Sequence, residues 1–360
     1  MPELPEVESV RAGLARHVVG RTVAGVEVLD ARPLRRQVGG AQAFTRELEG
    51  RAITAAVRRG KFLWLALDDG RALSAHLGMS GQLLVRGTSA GPGSDAPDDR
   101  SASGPVADGE SFLGDPAAAR VDLTATRAPS LVRDLSAHPR HLRVRLHLSA
   151  RPGDPGTGAA LDLVDQRMLG GLHVVDLAPT ADGAPGGQGS QAPLLPADAT
   201  HIARDLLDPF LDRGAAVARM RASRRGVKTL LMDQGIVSGV GNIYADEGLW
   251  RARLHGLRPG RALGPRVALG LLEATAQVME QALAVGGTSF DALYVDAEGA
   301  AGFFARQLQA YGRAGQECRR CGAVMRGEII AGRSHAFCPR CQTRPRGGTS
   351  VQVASRRSGR

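Results

Sequence analysis

The four cysteines of this 360-residue chain all fall in one short stretch, as Cys318, Cys321, Cys338 and Cys341. A secreted fold stapled by disulfides would scatter them. Two C-x2-C pairs separated by sixteen residues read instead as a metal site in a reducing compartment. Each C-x2-C hairpin sets two thiolates on one side of a turn, and two hairpins make a tetrahedral four-sulfur site for zinc. No coordination position stays open for water, so the site is structural and holds together a module too small to fold by itself. A pair of redox dithiols is the alternative, but it calls for no matched hairpins. The expected cofactor is one structural Zn2+ with four cysteine ligands.

That module is basic, with Arg319, Arg320, Arg326, Arg333 and Arg340 in or beside it. Strands carrying arginines suit a β-ribbon pressed on a DNA groove; a solvated charged face or a protein contact explains them too. The net charge of +10 and pI of about 10.5 point the same way, because basic side chains that neutralise phosphates release counterions. An arginine-heavy composition accounts equally for the charge. The lysines discriminate better. Of 46 basic residues only Lys61 and Lys228 are lysine, which suggests that a compact ammonium is needed at those two positions.

At roughly 100–200 residues per domain the length allows two or three domains. No apolar run reaches the ~18 residues of a membrane span. The acidic start MPELPEVES has neither the basic nor the apolar region of a signal peptide, so a cytoplasmic protein is expected. An amphipathic helix is predicted over 2–16, from Val7, Val10, Leu14 and Ala15 on one face. Strands follow at 22–29, 52–58, 62–68, 72–77 and 81–86, and again at 142–148 and 160–164. Between them, 87–130 is rich in Gly, Ser, Ala, Pro and Asp and reads as a disordered insertion. A second tract, 179–198, reads as a flexible linker. From 201 the pattern is helical: short helices at 201–211, 213–222 and 227–232, one at 242–253 and a longer one at 265–285. A small, flexible stretch covers 296–302. The domains expected are therefore 2–178, 199–302 and a cysteine module over 303–344, with a basic tail at 345–360.

Two further features carry chemistry. Initiator methionine is commonly removed before a small residue, which would expose the secondary amine of Pro2. With a pKa near that of an α-amino group, about 7.7–8.0, it is partly unprotonated at neutral pH, whereas lysine at about 10.4 would need large tuning. Attack of such an amine on a sugar C1′ gives an iminium, an electron sink for eliminating the flanking phosphates. Glu3 and Glu6 beside it can serve as general acid and base; an acidic start to an ordinary helix explains the same residues. In VKTLLMDQGIVSGVGNIYADEGLW (227–250), Gly235, Gly239 and Gly241 allow a close backbone approach and Asn242 opens a helix. Such a junction near Lys228 can hold a phosphate or simply join two helices.

These pieces occur together, in order, in one family. The chain resembles the formamidopyrimidine-DNA glycosylases and their relatives, which include endonuclease VIII. The resemblance rests on PELPEVE (2–8), RRGKFLW (58–64), AHLGMSGQL (75–83), MDQGIVSGVGNIYADEGLW (232–250), FFARQLQAYGR (303–313) and the cysteine module ending FCPRCQ. It spans nearly the whole chain apart from 87–130, 179–198 and the tail. It implies an α+β multidomain protein: an N-terminal β-sandwich with an active-site helix, a helix–two-turn–helix domain, and a C-terminal zinc finger. It implies Pro2 as nucleophile, Glu3 as the acid that helps open the sugar, and Glu6 as an acidic residue of the same helix that belongs with the DNA contacts. Lys61 would contact the damaged nucleotide and its phosphate. Lys228 and Asn242 would contact phosphates, and Arg333 would grip the backbone beside the lesion. The implied activity is a bifunctional glycosylase and abasic-site lyase, acting as a monomer on duplex DNA with oxidised bases or abasic sites, in the cytoplasm or nucleoid and without membrane.

The chain departs from the family pattern in two places. The family fills the gap left by a flipped base with a Met, an Arg and an aromatic residue. Here Met79 and Arg167 match, but DQRMLGG (165–171) has Met168 and Leu169 where an Arg or other polar residue and Phe are usual. Leucine remains an apolar wedge. In RSHAFC (333–338), His335 stands where threonine is expected, a change that bears on one phosphate contact. Oxidised purines are the expected substrates; an endonuclease VIII-like preference for oxidised pyrimidines and a non-catalytic damage-binding protein are the alternatives.

Overall fold

A computed structural model describes residues 2–86, 141–150, 159–286 and 304–345. The expected insertion at 87–130, the stretch 296–302 and all but the first residue of the basic tail lie outside the described residues.

The N-terminal half is a sandwich of two antiparallel sheets. One holds β1 (Val23–Val28), β5 (Gly81–Arg86), β6 (Leu142–Leu148) and β7 (Ala159–Asp165) in the order β1-β6-β7-β5. The other holds β2 (Ile53–Arg59), β3 (Phe62–Leu67), β4 (Arg71–His76), β8 (Gly171–Pro179) and β9 (Leu194–Pro196) in sequence order. Alternation along the strands sends Leu63, Leu65, Leu73 and Ala75 of one sheet against Leu83, Leu146, Leu161 and Leu163 of the other. Helix α1 (Leu4–His17) adds Val7, Val10 and Leu14 to this core, and α2 (Gly40–Leu48) adds Phe44 and Leu48.

The tract 179–198 is not the flexible linker its composition suggests. β9 pairs with β8, and Leu195 covers the outer face of β3, where Trp64 is packed with Val57 and Ala72. Gln188 exchanges backbone hydrogen bonds with Arg58 at 3.0 and 2.9 Å. Gly187 is seated against the Arg58 carbonyl, where any Cβ would clash. Gly186 and Gly189 are seated equally close to the Leu194 and Ala56 carbonyls, so three of the glycines that mimic a disordered linker serve close backbone approaches.

The second lobe is helical: α3 (Arg213–Arg221), α4 (Val227–Leu231), α5 (Asn242–Arg251) and α6 (Pro265–Leu283). Met220, Leu230, Leu231, Val237, Val240, Leu249, Leu271, Leu272 and Met279 form its core, and Leu4 of α1 belongs to this core too. Between α4 and α5 the chain makes two turns. The Gln234 side chain bridges them, accepting from Gly239 N at 2.9 Å and donating to the Met232 and Val240 carbonyls at 2.8 and 3.0 Å. The helix expected at 201–211 is absent. Asp205 and Asp208 turn their carboxylates back on the amides of Leu207 and Phe210, a local alternative that competes with helix. A last hairpin, β10 (Arg326–Ile330) and β11 (Arg333–Phe337), completes the cysteine module. Among the described residues no helix is long and apolar enough to cross a membrane.

Arg58 ties the lobes together. It is 3% exposed and bonds Glu8 of α1 at 2.8 Å and Asp205 of the helical lobe at 2.7 Å. Asp205 also accepts from Gly60 N at 3.0 Å. Asp205→Ala is expected to destabilise the protein by about 3 kcal/mol, because a buried guanidinium loses half its compensation. Denaturant unfolding checks this, and a loss below about 1 kcal/mol would rule out a stabilising role of that size for the pair.

Candidate active site

Glu3 ends the chain's approach to α1 and begins everything at the site. It is the N-cap of α1, with its backbone N–H donating to Glu6 Oε2 at 3.0 Å in a capping box. Its carboxylate crosses to the other lobe and accepts from the amides of Gly241 at 2.7 Å, Ile243 at 2.8 Å and Tyr244 at 3.3 Å. Those are first-turn donors of α5, which has no capping side chain of its own. Gly241 lies so close to the carboxylate that a Cβ would overlap it. Burial pushes the Glu3 carboxyl pKa up, against the lowering influence of Lys61 and the amides. Pro2 is buried immediately ahead of it. Glu6 is buried and accepts from the Tyr244 hydroxyl at 2.8 Å. Its carboxylate faces inward, so the DNA-contacting position expected for it becomes an internal one.

Lys61 stands on the turn between β2 and β3, half-buried. Desolvation lowers its pKa, Glu3 and Glu6 raise it, and Arg333 lowers it further. The turn is fixed by Gly60, at φ +57°, which packs against Ser238 and Gly239 of the two-turn segment. Arg333, at the start of β11, is exposed and feels both lysines. Lys61, Glu3, Glu6 and Arg333, distant in sequence, thus share one electrostatic environment.

Two expectations are corrected here. Lys228 is 1% exposed, and its ammonium donates to Asp246 Oδ1 at 2.7 Å and to the Ser334 carbonyl. It holds the hairpin to the helical lobe and leaves no ammonium face for a phosphate. His335 is likewise buried, hydrogen-bonded to Asp246 Oδ1 at 2.7 Å, so the threonine-to-histidine change alters an internal contact and no phosphate contact. Asn242 sits at the first position of α5 and donates to Ser334 Oγ at 2.9 Å.

Met79 and Leu169 project from adjacent turns, 41% and 45% exposed, with Arg167 exposed beside them. Gly78, at φ +60°, lets the two turns touch at the Leu169–Gly170 backbone. Buried Asp165 organises the second turn, accepting from Ser80 Oγ at 2.6 Å, Arg167 N at 3.0 Å and Gly170 N at 2.7 Å. Arg35 clamps the Leu169 and Gly170 carbonyls at 2.9 and 2.6 Å. Sequence reasoning missed Asp165, Arg35, Tyr244 and Asp246. Asp165, Tyr244 and Asp246 lie inside motif stretches and Arg35 in none, and the roles of all four depend on contacts that the sequence alone does not show.

The cysteine sulfurs lie within 4.8 Å of one another, with Cys321 at 3.5 Å from both Cys338 and Cys341. A zinc–sulfur distance near 2.3 Å implies tetrahedral edges of about 3.8 Å, so the four residues fit a zinc ion. Glu247 of α5 accepts from the amides of Gln309, Ala310 and Tyr311 at 2.7–3.0 Å and docks the module's entry segment.

Three family models match the chain in order: the formamidopyrimidine-DNA glycosylase N-terminal domain over 1–172, the formamidopyrimidine-DNA glycosylase H2TH domain over 202–293, and a zinc finger found in FPG and IleRS over 315–344. A formamidopyrimidine-DNA glycosylase of a Nocardioides species is 47% identical over 346 residues, 96% of each chain. That of Mycolicibacterium smegmatis is 44% identical over 96% of this chain and 99% of its own. The fold matches Lactococcus lactis Fpg, solved with abasic-site DNA, at a TM-score of 0.67 and 24% identity, over 95% of this chain and all of that one. Sandwich, two-turn helical lobe and zinc finger, in this order and at this identity, establish that the chain belongs to the formamidopyrimidine-DNA glycosylase family.

Proposed function

We propose that the protein is a base-excision glycosylase and abasic-site lyase for oxidised purines, with the amine of Pro2 as nucleophile. The observation that carries this reading is the buried Glu3 carboxyl. It adjoins Pro2, rests on the α5 amides and has Lys61 within electrostatic reach. A carboxyl raised above its ordinary value keeps a proton at pH values where a free one is charged, which suits a general acid. Once the base is flipped out of the stack, Glu3 gives its proton to the sugar ring oxygen. The Pro2 nitrogen bonds to C1′ as the bond to the base breaks, and the proton the amine gives up balances the one the departing base takes up. The C1′–O4′ bond then breaks, the protonated ring oxygen leaves as a hydroxyl, and an iminium remains at C1′. The iminium then draws electrons from C2′ as a proton departs there and the 3′ phosphate is expelled; a second elimination expels the 5′ phosphate. In this reading Lys61 and Arg333 hold backbone phosphates, and Met79, Arg167 and Leu169 fill the space the base vacates. Zinc, held by Cys318, Cys321, Cys338 and Cys341, has a structural part: it keeps the hairpin that carries Arg333 folded. In this reading the protein works on the chromosome, in the cytoplasm and nucleoid.

Borohydride should lock the protein, freed of Met1, to a duplex carrying 8-oxoguanine opposite cytosine, and blocking Pro2 should abolish the adduct. Trapping confined to an oxidised pyrimidine would assign the endonuclease VIII-like preference instead. No adduct on either lesion or on abasic DNA would sink the lyase reading. Glu3→Gln is expected to lower base excision by about 100-fold or more, the range of a lost general acid. It should act less on a preformed abasic site, whose open-chain aldehyde is already available. The pH profile follows the same logic. Excision should rise as the Pro2 amine loses its proton and fall again as Glu3 loses its own. Cleavage of abasic DNA should lack the falling limb; equal alkaline limbs on the two substrates would remove Glu3 from the acid role.

A further inference from the structure

The hairpin that carries Arg333 is held by polar contacts along its inner strand. Lys228 donates to the Ser334 carbonyl, and Asn242 Nδ2 donates to Ser334 Oγ at 2.9 Å. His335 donates from Nδ1 to Asp246 Oδ1 at 2.7 Å, while its Nε2 accepts from Gly256 N at 3.2 Å. Ala336 N donates to Asp246 Oδ2 at 3.0 Å. Three consecutive residues after Arg333 are therefore gripped by the helical lobe, and Asp246 receives contacts from two of them and from Lys228. Asp246, Lys228 and His335 are each about 1% exposed or less, so they touch no DNA. The hairpin tip beyond has no such grip. Ala331 and Gly332 form a two-residue turn at φ +47° and +75°, and Arg333 is exposed.

The geometry points to Asp246 and His335 as positioning residues for Arg333: the buried carboxylate–imidazole pair fixes β11 against α5 so that Arg333 faces the site of Glu3 and Lys61. This rests on the reading of Arg333 as a phosphate-gripping residue. The imidazole suits the place because its two nitrogens act in opposite senses, one donating to a carboxylate and one accepting an amide. Both bonds are made only by the neutral ring. Threonine has one short hydroxyl and cannot span Asp246 and Gly256 in that way.

A double-mutant cycle in the full-length, zinc-loaded enzyme tests this. It is read by single-turnover excision and, separately, by equilibrium binding of a duplex bearing a tetrahydrofuran abasic analogue. Asp246→Asn and His335→Ala are each expected to slow excision about 10- to 100-fold, the penalty for a misplaced holding group. Each should also lower the salt dependence of binding by about one phosphate contact, as Arg333→Ala is expected to. In the Arg333→Ala background each should cost less than about twofold more. His335→Asn keeps a donor near the Nδ1 position but loses the acceptor for Gly256 N, so it should cost clearly less than His335→Ala without restoring the full rate. Losses that multiply in full with Arg333→Ala would overturn the proposal, and so would equal losses in His335→Asn and His335→Ala. Should Asp246→Asn lose zinc or fail to fold, the His335 variants decide alone. If the wild type gives no borohydride adduct while the binding cycle is non-additive, the lyase reading fails and the positioning stands. If Arg333→Ala alters neither readout, the positioning falls with the role of Arg333.

Discussion

A carboxylate taken out of water must find donors, and Glu3 finds them on another domain. Its acceptors are filled by three amides at the start of α5, at the positive end of the helix. That bond set fixes the third residue of the chain against a segment some 240 positions later. Leu4, the next residue, goes into the helical core, while Val7 and Val10 go into the sandwich core. Helix α1 is thus shared by two hydrophobic cores, and its first turn lies in the seam. A nucleophile at Pro2 inherits its position from that seam, because no freedom remains in the residue that follows it.

Helix α5 repeats the device along its length. Its amides receive Glu3, Asp246 receives the β11 strand, and Glu247 receives the segment entering the zinc module. Ten residues thereby set the relative placement of sandwich, helical lobe and hairpin. The carboxyls of Glu3 and Glu247 are both pushed up by burial, yet they differ chemically. Glu247 spends its oxygens on three backbone amides within the fold. Glu3 has Lys61, an ionisable neighbour, in addition to its amides. One buried carboxyl is a staple, while the other is the one to which the proposed mechanism gives a proton transfer.

What the sequence made legible was whatever is encoded locally. Short strand-like segments bounded by Gly and charged turns gave β1 to β7, and the run from Pro265 gave α6, each within a few residues. The cysteine spacing gave the metal site, because ligand geometry is itself local. What was not legible depended on partners far away. The glycines of 179–198 have the composition of a linker, and only the Arg58 backbone and the Trp64 face explain their order. The stretch 201–211 has helical spacing, but its aspartates turn back on their own backbone. Lys228 and Lys61 are the same residue type with opposite fates. One is neutralised by Asp246 inside the fold, and the other faces the cleft. The scarcity of lysine pointed to both positions and could not tell a buried ion pair from a site residue.

The Met168–Leu169 departure can be weighed on the same terms. An aromatic wedge resists displacement through its own stiffness. Leucine lacks that, so a leucine wedge has to be held by its backbone. The turn supplies this: Asp165 takes the amides on both sides of Met168 and Leu169, and Arg35 takes the two carbonyls that follow. Met168 itself sits at φ +57°, a conformation a non-glycine residue keeps only when its surroundings over-determine it. Gly78 then locks the Met79 turn onto the same backbone. The side chains at the tip differ from the pattern the resemblance implies, but the backbone rigidity that the proposed wedge would need resides in Asp165 and Arg35, and both are in place.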